Sequence, residues 1–144
     1  MRTYANHFVL GSAAERRLVS LEVTARRHSL QEIDGLQIHT NHLLHPTLKD
    51  EPQDGAVVQS TSMSRLRVLS RWCDGLVDPR KVGRDEMVRA LSLHEGRPYS
   101  PCVHPQGKRK IATVLTAAFD VSRRRVRIYM GNPCRGLYQD NLAR

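Results

Sequence analysis

Three histidines at three-residue spacing, His39, His42 and His45, surround Asn41 and make a dense patch of chemically capable side chains. Three imidazoles can hold a zinc ion when their nitrogens converge on one point. Here the segment reads as extended backbone running into a loop at Pro46, where positions i, i+3 and i+6 point to different sides. Structural histidines that bond backbone or cover a strand end are therefore expected rather than metal ligands. Asn41, taken alone, reads as a strand-end residue bonded to nearby backbone. Lys110 closes a basic run, Lys108-Arg109-Lys110, that reads as solvated charge. Cys73, Cys102 and Cys134 are odd in number and form no CxxC pair, so reduced packing thiols are expected. Nothing adjacent marks Cys102 or Cys134 as an activated thiolate. No metal and no cofactor is expected.

These residues must be positioned by the elements between them. Tyr4 to Leu10 reads as a first strand, Gly11 to Glu15 as a turn, and Leu18 to Thr24 as a second strand with Val19, Leu21 and Val23 on one side. A third strand is expected over Gly35 to Thr40. His45 to Gln59, with Pro46, Pro52 and Gly55, reads as an irregular loop. A helix is expected from Met63 to Leu76, capped by Thr61 or Ser62, with Leu66 and Leu69 inward and Arg65 anchoring it to the preceding loop. Asp78-Pro79 ends it. A shorter helix, Arg84 to Leu93, carries Asp85-Glu86 at its positive end. Ile111 to Phe119 and Arg125 to Met130 read as a hairpin, the first strand apolar on both faces. The expected whole is a single α+β domain over residues 1–144. The strands around Val19, Ile38, Val114 and Ile128 would share one antiparallel sheet, with two helices on one face.

A net charge of +9 raises a small basic nucleic-acid-binding module as the alternative reading. The charge falls in scattered pairs and triplets, and aromatic residues make up only 5%, which gives no base-stacking platform. Nucleic acid is thus not the favoured partner. No apolar run reaches the length of a membrane span, and no signal-peptide core follows Phe8 to Leu10, so the default compartment is the cytoplasm.

Four stretches taken in order carry a resemblance. They are Leu21-Glu22-Val23-Thr24; His39-Thr40-Asn41-His42-Leu43-Leu44; Pro98-Tyr99-Ser100-Pro101-Cys102 with His104; and Ile111-Ala112-Thr113 leading to Gly131-Asn132-Pro133-Cys134. Together they resemble the C-terminal portion of the penicillin acyltransferase-like family of cysteine N-terminal-nucleophile (Ntn) hydrolases. That resemblance implies part of an αββα sandwich and chemistry on linear amide C–N bonds, by hydrolysis or by acyl transfer. It implies a small amide or acyl-coenzyme A substrate. In such a site an N-terminal cysteine attacks the carbonyl and its own α-amino group acts as base. The resemblance makes Asn41 an oxyanion-type donor and places Lys110 where a cation could orient a substrate carboxylate. The chain opens Met1-Arg2, without that cysteine. It is expected to be inactive alone and to pair with a nucleophile-bearing N-terminal half or subunit. A third reading, a structural protein that dimerises through an exposed sheet, rests on the same apolar strands.

Overall fold

A computed structural model describes residues 5–53, 55–57, 61–108 and 110–142. Strand β1, Asn6–Ser12, turns through 13–16 into β2, Arg17–Val23, and β3, His28–Glu32, pairs antiparallel with the other edge of β2. Helix α1, Met63–Asp74, and helix α2, Arg84–Leu91, follow. A second antiparallel sheet is built from β4, Leu115–Asp120, β5, Arg125–Met130, and β6, Tyr138–Leu142. The fold is α+β with two three-stranded sheets, in the orders β1-β2-β3 and β4-β5-β6.

The expected single sheet is therefore corrected to two. Val19 lies in β2 and Ile128 in β5, whereas Ile38 and Val114 belong to no strand. Hydrogen bonding explains both departures. Thr113 N–H donates to the Val103 carbonyl at 2.9 Å and the Val114 carbonyl accepts from Gly131 N–H at 2.8 Å, so Ile111 to Val114 bond to loops and β4 starts only at Leu115. Gly35, at φ +83°, turns the chain away from β3, and residues 39–45 are then held across the sheet by side-chain bonds. The third strand falls instead on His28–Glu32. Its one large apolar residue, Leu30, left no periodic pattern to read.

The first sheet has an unusual distribution. Asn6, Phe8 and Leu10 pair with Val23, Leu21 and Val19, and Leu30 pairs with Leu21, so one face has an apolar centre, with Asn6, Ser12, Arg17, His28 and Glu32 around it. Phe8, Leu10 and Leu30 on it are about half exposed. The opposite face carries His7, Ser20 and Glu22 beside Val9 and Leu18, and there Ser20 and Glu22 are fully buried while Val9 and Leu18 are exposed. The second sheet repeats this. Leu115, Phe119 and Met130 share a face and stand well exposed, while Tyr129 on the other is buried. On that covered side Arg127 lies 3.8 Å above the Tyr138 ring and pairs with Asp140.

The helices pack mainly on each other and on the loops. Val68 and Leu69 of α1 and Val88 and Ala90 of α2 are buried with Leu43, Leu48 and Cys102, whereas Leu66 is only half-buried. The Ser62 hydroxyl does not cap α1, because it is bonded to His42 and Thr40 instead. At the other helix Glu86 accepts the Gly83 N–H at 2.6 Å, as its place in the first turn predicts. Among the described residues, no helix is long and apolar enough to cross a membrane.

Candidate active site

The period-two alternation of β2 sends Ser20 and Glu22 to the covered face, where residues 39–45 cross over them. A carboxylate taken wholly out of water persists as an ion only if donors replace its hydration. Glu22 has three. Oε1 accepts from Leu44 N–H and from His39 Nε2, both at 2.6 Å, and Oε2 accepts from His45 N–H at 3.0 Å. Burial pushes the Glu22 pKa up, but the Leu44, His39 and His45 donors outweigh it and hold the carboxyl below its ordinary value. Glu22 is thus a fixed anion that ties the 39–45 loop to β2.

The His39 ring stacks on His7, with centroids 3.5 Å apart and planes 4° from parallel. Ser20 Oγ stands between His7 Nε2 at 2.8 Å and His45 Nε2 at 2.9 Å, so it donates its one proton to one ring and accepts from the other. Burial, then the neighbouring His39, push the His7 pKa down to about 4, which keeps that imidazole neutral near pH 7. His42 turns elsewhere. Its Nδ1 meets Ser62 Oγ at 2.7 Å, and burial followed by His39 lowers its pKa. The three histidines of the run reach three different partners and do not converge. Their bonds go to side chains rather than to the backbone partners expected.

Above this floor lies a cleft of about 400 Å³ between the start of β1, the 39–43 loop and α1. His7, His39, Asn41, Arg65, Leu69 and Leu91 are among its walls. Asn41 is exposed at its rim, and its Oδ1 accepts from Arg65 Nη2 at 2.5 Å. Arg65 Nε also donates to the Thr61 carbonyl at 3.2 Å, so the guanidinium does join α1 to the preceding loops. Burial lowers the Arg65 pKa from its ordinary value. Holding the carbonyl end of Asn41 fixes the amide plane and leaves its two N–H donors on the opposite edge.

Lys110 is exposed and is not among the cleft walls, and Arg109 lies outside the described residues. None of Cys73, Cys102 and Cys134 lines the cleft. Cys102 is buried as expected, but Cys134 is exposed on the one-turn helix Pro133–Arg135 and is not a packing residue. Sequence reasoning missed the floor of the site. Ser20, Glu22 and His7 alternate with apolar residues, and such alternation ordinarily marks a wet face. A second group, His94, Cys102, His104 and Cys134, was also missed, because its Cys-x-His pair and its distant members match no common spacing.

These features define an α+β protein with a polar cleft over a buried carboxylate–imidazole network. The family model described as acyl-coenzyme A:6-aminopenicillanic acid acyl-transferase matches residues 2–135. The chain belongs to this family. No curated protein matches it.

Proposed function

We propose that the chain forms the oxyanion-binding part of a cysteine Ntn-type site acting on linear amide C–N bonds, by hydrolysis or by acyl transfer. The observation that carries this reading is the placement of Asn41. It stands at the rim of the cleft with its carbonyl held by Arg65 and its N–H donors left for a ligand. An acyl carbonyl attacked by a thiol develops negative charge on its oxygen, and a fixed amide donor answers that charge without reorganising. Arg65, charged and partly withdrawn from water beside Asn41, adds positive potential at the same point. Family membership supports the same chemistry.

No cysteine of this chain borders the cleft. The nucleophile then comes from a segment carrying a free N-terminal cysteine, whose thiol attacks and whose α-amino group takes the proton. The exposed apolar faces of the two sheets support the same reading, since an αββα sandwich would cover them with further layers. Lys110 has no place at this cleft, so its role as carboxylate partner rests on the resemblance alone. Nucleic-acid binding gains no support among the described residues beyond net charge. Arg17, Arg27, Arg71, Arg80, Arg84, Arg123 and Arg127 all sit in ion pairs.

The test supplies a cysteine-bearing N-terminal segment of the family and measures turnover of penicillin V or an N-acyl amino acid. The chain alone should give background. With the segment bound, turnover should rise, and Asn41→Ala should then lower kcat by about 100- to 1,000-fold. Unchanged kcat in Asn41→Ala, with the segment still bound, would sink the assignment.

A further inference from the structure

We propose that His94, Cys102, His104 and Cys134 form a structural zinc site. Their four donor atoms all lie within 4.8 Å of one another. Cys102 Sγ is 3.7 Å from Cys134 Sγ and 3.6 Å from His104 Nε2. Cys134 Sγ is 3.3 Å from His104 Nε2, which is 3.0 Å from His94 Nε2. Zn–S bonds of about 2.3 Å and Zn–N bonds of about 2.0–2.1 Å at tetrahedral angles require edges of about 3.8 Å for S···S, about 3.6 Å for S···N and about 3.3 Å for N···N. Four of the six edges match that tetrahedron to within about 0.3 Å, and the two from His94 to the sulfurs lie within 4.8 Å.

Hydrogen bonding alone accounts poorly for this arrangement. An imidazole nitrogen has one in-plane direction, in which it either donates or accepts one bond. His104 Nε2 nevertheless stands within 3.6 Å of two sulfurs and another imidazole nitrogen. Three other metal-ligating atoms crowded around one imidazole nitrogen are what a shared metal ion would gather. Two thiolates and two neutral imidazoles suit Zn²⁺ in charge and in softness, and four protein ligands make a closed site rather than a catalytic one.

The surroundings hold the ligands in place. Cys102 N–H donates to the Leu93 carbonyl at 3.0 Å, which ties the Cys-x-His segment to the residue before His94. Val103, between the two ligands, donates its N–H to Thr113 Oγ1 at 3.0 Å and accepts Thr113 N–H at 2.9 Å. Buried Asn132 donates to the Val103 carbonyl at 2.6 Å, with Nδ2 3.4 Å from Cys102 Sγ, an outer-shell donor to a thiolate. Cys102 is wholly buried while Cys134 is exposed, so one side gives the ion an entry path. A metal here would join the end of α2, the Pro98–Gly107 loop and the turn after β5. Leu91 and Pro101, both cleft walls, lie three residues before His94 and one before Cys102. The zinc would therefore also brace that side of the cleft.

Loading is Zn²⁺ displacing two thiol protons, with no change of oxidation state. The reduced full chain, stripped by chelator and titrated with Zn²⁺, should take up one ion per chain and release protons. Co²⁺ in its place should give the visible bands of a tetrahedral ion and near-ultraviolet thiolate charge-transfer bands. Cys73→Ser should leave both unchanged. Exposed Cys134→Ser should weaken zinc binding by more than the about 10- to 100-fold typical of outer-shell changes, and should reduce the charge-transfer intensity. A wild-type chain that takes up neither ion, or a Cys134→Ser variant that binds as tightly as wild type, would overturn the proposal. So would a Cys102–Cys134 disulfide that forms and persists with zinc present.

Discussion

Replacing Glu22 with glutamine exchanges one oxygen of a fully buried carboxylate for an NH₂ group and changes almost nothing in volume. The oxygen that remains is best placed at the Oε1 position, where it still meets Leu44 N–H and His39 Nε2. The new NH₂ then faces His45 N–H, which had donated to Oε2 at 3.0 Å. Two donors confront each other, and the His45 N–H is left buried without an acceptor, at a cost of about 1–3 kcal/mol. The two surviving bonds lose their charge assistance, which roughly halves a charge-assisted bond. The total is about 3 kcal/mol, a large share of the about 5–15 kcal/mol that holds a domain together. Urea denaturation at pH 7 should show that loss, with Glu15→Gln in the exposed first turn as the control. Protection of the Leu44 and His45 amides against hydrogen exchange should fall more than elsewhere, since those groups lose the acceptor that pins them. A Glu22→Gln chain within about 0.5 kcal/mol of wild type would refute the view that this carboxylate fastens the Asn41 loop.

Acid should destabilise the chain in a defined order. His7 has a pKa pushed down to about 4, so between about 6.5 and 4 the unfolded chain binds a proton that the folded one refuses. Stability should fall as pH drops through that window, and His42 acts in the same direction. Further down, protonation of Glu22 removes a second contribution that is complete only above its ordinary pKa. Urea midpoints that stay flat from pH 7 to 4.5 would contradict this. The apolar sheet faces should make the isolated chain self-associate, and Phe119→Thr, at a side chain 73% exposed, should reduce association with little change in melting temperature. Sedimentation velocity on both chains decides it, and a monomeric wild-type chain would contradict the expectation.

Strands and helices with strong periodicity were legible from sequence. β2, α1, α2 and the hairpin of β4 and β5 all lie within a few residues of their expected spans. β3 was not, because His28–Glu32 is mostly polar and owes its strand to backbone pairing with β2. Gly35 to Thr40 misled in the opposite way. Its apolar residues suggested a strand, but Gly35 at φ +83° and the Glu22–His39 bond draw it over the sheet as a loop. The resemblance singled out Asn41, and its place at a cleft emerged only with the fold. Glu22 was hidden because a charged residue on an alternating strand ordinarily faces water, and only the loop that covers it changes its role. The His94 and Cys134 pairing was hidden because 40 residues separate them and two different elements bring them together.

The inverted burial of the first sheet connects these observations. A three-stranded sheet standing alone would turn Phe8, Leu10, Val19, Leu21 and Leu30 inward and leave Ser20 and Glu22 in water, because apolar burial contributes about 25 cal/mol per Å² and carboxylate burial costs. Here Ser20 and Glu22, on the other face, are the covered side chains, and the carboxylate is compensated by three donors. That compensation makes the polar face serve the cleft, since it fixes the loop on which Asn41 stands. The apolar face is left for something else, and the second sheet leaves a comparable face around Leu115, Phe119 and Met130. Under the proposed function the cleft needs a nucleophile that the described residues do not place there, and the sheets need covering layers. One nucleophile-bearing segment would meet both needs, so its binding should raise the melting temperature and create activity over the same range of concentration. A segment that restored turnover while leaving the exposed faces as accessible as before would separate the two and remove the sheets from the argument.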